Sequence, residues 1–589
     1  EAWQMAWKKL ADDVWQYATQ KYQGLKQACS IWQRQVSQLW SCQWVVGEAA
    51  LLERRKLLRD FPDDLEPEEG LKCTVCGRRE ALHGPLSDMG VREALREYWS
   101  GFSQALGHYD IRRDGSERLC AICTIRRLLP RVWEAAAGKR CDDIVAEMVN
   151  YPSTRTIATM PWRIAVARCA RRDARVMEAV RDVNKALVSL AAEARGRGPG
   201  SEPIEDVSKA ISAMSEELLA ETEGTQGLEM LLKYDGDWLT EDGIRVAVKD
   251  RGWVSRDSSL EGERDTNSLA AGALEVIEKL RALGDALGNA GAKPQPSDFY
   301  AVLVMDGDNM GAILSKHEQK KSTISRSLEE FASSVRAIVH GCWGRLVYAG
   351  GDDVLALLPV DTALDAAEQL RRKYAKTRPK LDSDGSPVEP DSWTISAGIV
   401  FTHCAVPLTT VIARAHELLD RHAKDGAGRN AFAVEVWKRG GPILRFARKW
   451  DVAGPAPQAS ERDETCRQGG NDTPSYIDHL TNFVKALLGV REGLAFSNRI
   501  LYRLREVCEI MTEPAPEGEG PGRRLLLSEE EFHQVVQAEY LKTRSLEHET
   551  QEEAKRKAER FAQEVWSLCL SDSSDLRIQW EPLLFARFL

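Results

Sequence analysis

Two short acidic motifs have the residue types and spacing to bind metal ions that carry nucleotide phosphates. Residues Tyr348–Leu355 contain a Gly-Gly-Asp-Asp turn between two apolar segments, which predicts the tip of a β-hairpin. Upstream, Met305–Asn309 ends another apolar segment with a second pair of acids. Carboxylates are hard oxygen ligands that suit magnesium, and acid clusters at the ends of neighbouring strands suit two-metal phosphoryl transfer. Either motif alone is equally compatible with a surface turn, but both in one sheet favour a metal site.

The carboxylates and glycines of these motifs have separate predicted tasks. Asp306, Asp352 and Asp353 are the predicted catalytic acids and ligands of Mg²⁺ (or Mn²⁺). Glycines let the backbone turn tightly beside a phosphate, and backbone amides that open onto a helix can hold one. The residues predicted to contact phosphates in this way are Gly307, Asp308, Asn309, Gly350 and Gly351. Such a site would join a 3′-hydroxyl to the α-phosphate of a nucleoside triphosphate and release pyrophosphate.

The segments around the motifs predict one fold. Their apolar periodicity predicts strands at Phe299–Met305, Arg345–Ala349, Val354–Leu358, Trp393–Phe401 and Ala431–Val436, and helices at Ile324–His340, Thr362–Tyr374 and Leu408–His422. The order β-α-β-β-α-β is the ferredoxin-like split unit. In that unit the first strand lies beside the hairpin, so Asp306 should lie near Asp352 and Asp353. This is the palm arrangement of polymerases and nucleotidyl cyclases.

A second motif consists of two Cys-x-x-Cys knuckles. Cys73, Cys76, Cys120 and Cys123 offer four thiolates to one ion, which suits structural zinc. The gap between the knuckles is longer than in common zinc ribbons, which predicts a helical insertion at about Val91–Leu106. Each knuckle alone could be a buried thiol pair, whereas both together favour zinc. A four-cysteine site has no open position for water, so its predicted role is scaffolding.

Composition limits the class of protein. A chain of 589 residues with 43% hydrophobic content predicts several domains. We expect a soluble, cytoplasmic protein without membrane contact, because no apolar run reaches about 18 residues and no signal-like start is present. The net charge of −10 argues against the whole surface binding nucleic acid. Local basic tracts occur at Arg371–Lys380 and Lys438–Lys449, where a solvated surface is the more common interpretation.

Several motifs resemble the large subunit of type III CRISPR effector complexes, most closely the Cmr (type III-B) class. The matching segments are Met305–Gly311, Tyr348–Ala356, Ser396–Ile399, Pro152–Ala158 and Tyr234–Asp237. In addition, Lys424 and Gly428-Arg429-Asn430 are similar to the phosphate-contacting stretch of diguanylate cyclases, although three residues rather than two separate Lys424 from Gly428. Lys424 and Arg429 are therefore expected to supply positive charge to the triphosphate.

The resemblance implies a multidomain α+β protein. We predict an N-terminal helical region (1–70), a zinc-binding helical domain (71–150), a degenerate, incomplete palm-like domain (151–296), the Gly-Gly-Asp-Asp palm (297–440) and a C-terminal helical domain (441–589). Many family members begin with a His-Asp nuclease domain. No His-Asp dipeptide occurs here, so we expect no DNA cleavage by this chain.

The activity that the resemblance implies is conversion of ATP to cyclic oligoadenylates when target RNA binds. The expected partners are guide RNA, target RNA, and the neighbouring small and repeat-associated subunits of an effector complex. One alternative is a cyclase that makes dinucleotides from GTP, but Asp353-Val354 stands where such enzymes have Glu-Phe. Another is an architectural subunit with a vestigial palm, against which the intact acids argue.

Overall fold

The structure is a computed structural model that describes most of the chain. The described residues are 2–39, 68, 70–84, 91–106, 111, 115–136, 151–196, 207–255, 257–380, 392–438, 440–451, 475–487, 499–514, 522–542, 550–572 and 576–589. The chain divides into two compact units, the first comprising Glu1–Thr156 and Trp162–Pro296, and the second Ile157–Pro161 and Ser297–Leu589. Within the described ranges, no helix is both long and apolar enough to cross a bilayer.

The first unit is built from helices. Its longer helices are Ala2–Lys21, Cys29–Ser37, Val91–Leu106, Ala121–Ala136, Thr154–Arg172, Ala174–Gly196, Glu241–Asp250 and Ser268–Asn289. Shorter helices are Ser208–Met214, Glu216–Thr222 and Met230–Lys233, with 3-10 turns at Gln23–Ala28, Gly236–Trp238 and Glu261–Glu263. The helix predicted between the two cysteine knuckles is confirmed at Val91–Leu106. Its apolar face buries Leu95, Trp99 and Phe102 in a core that the N-terminal helices share.

The predicted second palm-like domain is not supported between residues 151 and 296. A palm requires a sheet, and the described residues of this range form helices and turns without any paired strand element. The acidic turn at Tyr234–Asp237 opens a 3-10 turn at Gly236–Trp238 rather than ending a strand. Acids at a helix start and acids at a strand end look alike in sequence, which is why the motif was misleading.

The second unit contains a mixed six-stranded sheet. The strands are β1 Phe299–Gly307, β2 Arg345–Gly350, β3 Asp353–Pro359, β4 Ile395–His403, β5 Ala431–Lys438 and β6 Gly441–Lys449. They lie in the order β2-β3-β1-β4-β5-β6, with β4 and β5 parallel and the other neighbours antiparallel. The first four strands therefore have the ferredoxin-like arrangement predicted from the sequence. β6 was not predicted, and the domain boundary predicted at residue 440 falls inside the β5–β6 hairpin.

Helices cover both faces of this sheet. They are Met310–Lys316, Lys321–Gly341, Ala363–Lys376 and Leu408–Glu417, the last continuing as a π-helical segment at Leu418–Gly426, with 3-10 turns at Glu318–Lys320 and Val360–Thr362. Side chains alternate along a strand, so Ala301, Leu303 and Met305 enter one core with Phe331. The opposite face packs against Leu408–Glu417. A Cβ at Gly398 would lie 2.3 Å from the Ala415 carbonyl oxygen, so glycine permits this close helix–sheet contact.

The C-terminal part of the second unit was predicted to be helical, but it also contains a small sheet. Its helices are Tyr476–Leu487, Arg499–Ile510, Glu529–Lys542, Gln551–Cys569 and Glu581–Phe588. A small sheet accompanies them, in the order β7-β8-β10-β9, where β7 is Thr512–Pro514, β8 Arg523–Leu525, β9 Leu570–Asp572 and β10 Arg577–Ile578. Strands of two or three residues carry too little apolar periodicity to be recognised in a sequence.

Candidate functional site: an acid cluster at the end of the palm sheet

The pairing of β1 with β3 brings the two acidic motifs together. Met305 pairs with Val354, so the next residue, Asp306, lies beside the β2–β3 turn that carries Asp352 and Asp353. Gly351 has a φ of 68°, a left-handed conformation that glycine adopts without strain. The hairpin therefore turns tightly at this point and holds both of its carboxylates next to the end of β1.

Lys424 is the cation that faces these acids. Its ammonium group forms an ion pair with Asp306 and lies 3.5 Å from the Gly307 carbonyl oxygen. Burial, together with the neighbouring Asp306, raises the pKa of Asp352 despite Lys424. Burial and a hydrogen bond with Asp306, then the charges of both acids, raise the pKa of Asp353 to about 6. Three carboxylates face one ammonium group, and this excess of negative charge fits a divalent cation.

Gly307 permits this close approach. A Cβ at this position would lie 2.6 Å from Asp352 Oδ2 and 2.8 Å from the Tyr374 hydroxyl oxygen, closer than van der Waals contact allows. Gly307 was predicted to contact phosphate, and the structure shows a separate steric constraint that excludes a side chain at this position. The residue leaves the space in which Asp352 and Tyr374 meet the end of β1.

Asp308 differs from the other acids because its carboxylate is buried and bonded to protein. It accepts hydrogen bonds from Thr394 Oγ1 (2.9 Å), Ser396 Oγ (2.8 Å) and the Asn430 amide (2.9 Å). The Asp308 amide donates to the Thr394 carbonyl oxygen at 2.9 Å. The prediction that this amide holds a phosphate is therefore wrong. Asp308 instead fixes the end of β1 to β4 and to the turn before β5. Asn309, with φ of 55°, starts the following helix.

The π-helical segment Leu418–Gly426 carries Lys424 into the acid cluster. A π-helix holds more residues per turn than an α-helix, which accommodates the additional residue noted between Lys424 and Gly428. The segment ends where the Arg429 amide donates to the carbonyl oxygens of Ala423 (3.2 Å) and Lys424 (3.0 Å). Arg429 has a φ of 63°, so the chain reverses sharply here and enters β5. This reversal also brings the Asn430 amide to Asp308.

Tyr374 also belongs to this site, although no sequence motif indicates it. Its ring stacks on Trp393 with centroids 5.1 Å apart and meets Phe331 edge-on. The hydroxyl group is buried next to Asp352 and has no hydrogen-bond partner among the described residues. Burial, followed by the charges of the nearby acids, raises the pKa of Tyr374, so the group is a neutral donor. In the sequence, Tyr374 is one apolar position of an amphipathic helix.

The four cysteines form a separate candidate metal site in the first unit. The sulfur atoms of Cys73, Cys76, Cys120 and Cys123 all lie within 4.8 Å of one another. The Cys76 and Cys120 sulfurs are 3.8 Å apart, which matches the separation of ~3.8 Å expected for tetrahedral Zn–S bonds of ~2.3 Å. The first knuckle is a tight turn in which the Gly77 amide donates to the Cys73 carbonyl oxygen (2.9 Å), and the second begins the Ala121–Ala136 helix. These residues fit a zinc ion.

The matched segments Pro152–Ala158 and Tyr234–Asp237 meet in the first unit through Asp235. Its carboxylate accepts hydrogen bonds from Ser153 Oγ (2.7 Å) and Thr156 Oγ1 (2.9 Å). A Cβ at Gly236 would lie 2.4 Å from the Arg155 carbonyl carbon, so glycine is required at this contact. These contacts give the second acidic turn a structural role, namely fixing the start of the Thr154–Arg172 helix.

The basic tracts are partly neutralised by acids of the protein itself. Arg371 and Arg372 both pair with Glu368, at 2.9 and 2.6 Å. In the second tract, Arg445 pairs with the fully buried Glu435 at 2.6 Å. The solvated-surface interpretation was therefore incomplete, since several of these arginines stabilise the fold.

Comparison with known proteins defines the class of this domain. Residues 299–433 match the sequence model of the family described as Cas10/Cmr2, second palm domain. The sheet with its acid cluster is thus a palm domain of this type. Over 478 residues, the chain is 26% identical to the CRISPR system Cmr subunit Cmr2 of Pyrococcus furiosus, a match that covers 76% of this chain and 44% of that protein. The palm domain of this chain is therefore similar to that of Cas10/Cmr2 proteins. The chain spans less than half the length of this relative.

Solved structures of type III complexes give weaker matches. A type III-B Cmr-beta complex in the apo state matches with a TM-score of 0.46 and 14% identity, over 94% of this chain and 64% of that chain. Cmr-beta bound to cognate target RNA matches with a TM-score of 0.40 and 15% identity, over 83% and 54%. These scores are too low to add to the assignment.

Proposed function

We propose that this chain is the large subunit of a type III-B CRISPR effector complex and that its palm converts ATP to cyclic oligoadenylates. The observation that carries the proposal is the convergence of Asp306, Asp352 and Asp353 with Lys424 at the end of the palm sheet. The match of residues 299–433 to the Cas10/Cmr2 second palm domain supports it, because the acid cluster lies in the matched region. The proposed product chemistry is the joining of a 3′-hydroxyl to an α-phosphate with release of pyrophosphate.

In this mechanism, Asp306, Asp352 and Asp353 would hold Mg²⁺ or Mn²⁺. Bound divalent ions lower the pKa of an attacking hydroxyl and neutralise a leaving pyrophosphate. Lys424, which forms an ion pair with Asp306, would also contact the triphosphate. Arg429, at the sharp reversal before β5, would add a second positive charge. Gly350 and Gly351 at the hairpin turn would let phosphate oxygens approach the backbone, and Asn309 would contribute its amide. Gly307, which is buried, would act by admitting Asp352 to the end of β1 beside the phosphates.

The proposed partners are guide RNA, target RNA, and the small and repeat-associated subunits of the complex. The net charge of −10 opposes tight binding of RNA by the isolated chain, because phosphate contacts dominate non-specific affinity. We therefore propose that target RNA paired to guide RNA within the assembled complex shifts the palm towards its active arrangement. The four-cysteine cluster would hold zinc as a scaffold, remote in sequence from the palm.

The test is nucleotide polymerisation by the assembled complex with and without target RNA, using each labelled nucleoside triphosphate and identifying the products. The double variant Asp352→Ala, Asp353→Ala should assemble and bind RNA normally but form no product, because it lacks two of the three carboxylates. Glu329→Ala, an exposed carboxylate on a palm helix, is the matched control and should retain full activity.

Three outcomes would contradict parts of this proposal. Undiminished product formation by the double variant would refute the acid cluster as the active site. Products made from GTP in preference to ATP would favour the dinucleotide cyclase alternative. Equal activity of the isolated chain and the target-bound complex would refute activation by RNA.

A further inference from the structure

The turn that links the π-helical segment to β5 has an uncommon backbone conformation. Gly428, Arg429 and Asn430 have φ angles of 77°, 63° and 45°, so three successive residues are left-handed. Glycine adopts this conformation without strain, whereas other residues do so rarely and at an energetic cost. Such a conformation persists only where the surrounding structure holds it in place. Contacts from elsewhere in the chain must therefore support this turn.

Lys449, at the end of β6, supplies such contacts. Its ammonium group donates to the carbonyl oxygens of Gly428 (2.8 Å) and Arg429 (2.7 Å). Lys449 pairs with Ala431 in the β5–β6 ladder, which places its side chain beside the turn. Burial lowers the pKa of Lys449, and the nearby Asp308 opposes the shift, so the ammonium group is partly withdrawn from solvent although the residue as a whole is exposed. A charged donor makes stronger hydrogen bonds than a neutral one.

The residues on either side of Lys449 are anchored in the interior. Arg448 is only 4% exposed and donates to the Cys569 carbonyl oxygen at 2.8 Å, which joins β6 to the C-terminal part of the unit. Trp450 is fully buried, and its amide donates to the Asn430 carbonyl oxygen at 3.2 Å. The end of β6 is therefore fixed independently of Lys449, and it forms a firm support from which this side chain reaches the turn.

The turn that Lys449 supports carries residues of the acid-cluster site. The Asn430 amide donates to Asp308 at 2.9 Å. The Arg429 amide donates to the Lys424 carbonyl oxygen at 3.0 Å and so closes the end of the π-helical segment. A change in the φ angles of the turn would therefore move the Arg429 side chain and loosen the segment that carries Lys424.

We propose that Lys449 is a positioning residue for the triphosphate, because it holds the left-handed turn at 428–430 and so presents Arg429 and Lys424 to phosphate oxygens. This inference rests on the proposed function of the palm. It extends the site beyond residues 299–433, the region that matches the Cas10/Cmr2 second palm domain. Lys449 acts through the turn rather than on the nucleotide, since its ammonium group is engaged by two carbonyl oxygens.

The test compares Lys449→Met with Lys438→Met. Methionine keeps an unbranched side chain of similar length but has no N–H group to donate. Lys438 is an exposed lysine at the opposite end of the same hairpin, where it pairs with Gly441, so its variant is the matched control. Because Lys449 is exposed as well, neither change should alter the melting temperature appreciably.

The first measurement is amide hydrogen exchange of the nucleotide-free full chain. In Lys449→Met, exchange over residues 424–432 should be faster by about fivefold or more, because the turn opens locally once its carbonyl oxygens lose their donor. Exchange over residues 350–353 should stay as in the wild type. Lys438→Met should match the wild type in both segments.

The second measurement is the dependence of product formation on ATP concentration in the target-bound complex. In Lys449→Met the KM for ATP should rise by about fivefold to tenfold while kcat changes less than about twofold, because charges that bind phosphate throughout the reaction are displaced. A residue that only stabilised the fold would instead lower kcat and leave KM unchanged, since the remaining folded protein would be normal.

Unchanged exchange over residues 424–432 in Lys449→Met would overturn the proposal; combined with a raised KM, it would make Lys449 a direct phosphate contact. Faster exchange with an unchanged KM would overturn it as well, because the turn would then not serve the nucleotide. A wild-type complex that forms no product from ATP would refute the proposed function of the palm. In that case the affinity for ATP and magnesium, measured by calorimetry, replaces KM, and equal affinity of wild type and Lys449→Met would overturn the role of Lys449.

Discussion

Replacing Asp353 by asparagine should stabilise the metal-free protein at neutral pH. The ordinary pKa of 3.8 is raised to about 6, first by burial and then by a hydrogen bond and charge repulsion from Asp306. A carboxyl group with a raised pKa holds its proton more tightly in the folded than in the unfolded state. The contribution of Asp353 to stability is therefore fully present below about pH 4, is lost as the pH rises through the window from about 4 to 6, and stays lost above it.

The size of the effect follows from this shift. A difference of about 2 pKa units corresponds to ~3 kcal/mol at 1.36 kcal/mol per unit. The Asp353 carboxyl group lies among the other acids, but the residue as a whole is exposed at the hairpin tip. We therefore give the exposure more weight than the burial, because solvent at the tip screens charge repulsion strongly. We therefore expect Asp353→Asn to raise the free energy of unfolding by about 1 kcal/mol at pH 8 and by roughly half as much at pH 5.

The assay is chemical or thermal unfolding of wild type and Asp353→Asn between pH 5 and pH 8, first without divalent ions and then with magnesium. Magnesium should stabilise the wild type, because a ligand that binds only the folded state adds RT ln(1 + [L]/Kd). It should stabilise the variant less, because one ligand is missing. Asp425→Asn, an exposed acid near Lys424, serves as the control and should show neither effect.

Two results would refute this reasoning. The first is a variant less stable than the wild type at pH 8 without metal, because that would mean the carboxylate is favourable in its surroundings. The second is a stability difference that does not change with pH, because the effect would then not arise from titration of this carboxyl group. Equal stabilisation of both proteins by magnesium would remove Asp353 from the set of metal ligands.

Two further predictions concern the zinc cluster and Tyr374. The purified protein should contain one zinc ion per chain, and its removal by a chelator should lower the melting temperature, because metal binding is coupled to folding. Two results together would contradict this prediction. They are an elemental analysis that finds no stoichiometric metal, and alkylation of the four cluster thiols in the native state that is as fast as alkylation of Cys29. Tyr374→Phe should keep the stacking on Trp393 and the melting temperature, but raise several-fold the magnesium concentration that gives half-maximal polymerisation, because the hydroxyl lies beside Asp352. An unchanged magnesium dependence would leave Tyr374 with a packing role only.

Much of the site was predictable because its signals are local. The Gly-Gly-Asp-Asp turn and the acids after β1 are each contained in a few residues, and apolar alternation marks the strands that carry them. The order of strands and helices then restricts the fold, since few arrangements satisfy a β-α-β-β-α-β sequence. The two Cys-x-x-Cys knuckles are equally local, and the helix between them was predicted with its correct bounds.

What the sequence could not decide depends on partners that are distant along the chain. Asp306 and Asp308 are two residues apart, yet one faces Lys424 while the other is enclosed by Thr394, Ser396 and the turn before β5. Tyr374 joins the site only because Gly307 lacks a side chain.

Long-range packing likewise decided three features of the architecture. β6 joined the palm sheet, the C-terminal domain acquired a small sheet, and the expected second palm-like domain was replaced by helices among its described residues. Residue type and local periodicity therefore determined which groups could do chemistry. Tertiary packing alone determined which of these groups come together at one site, because it decides which hydrogen-bond partners each polar group finds once it is buried.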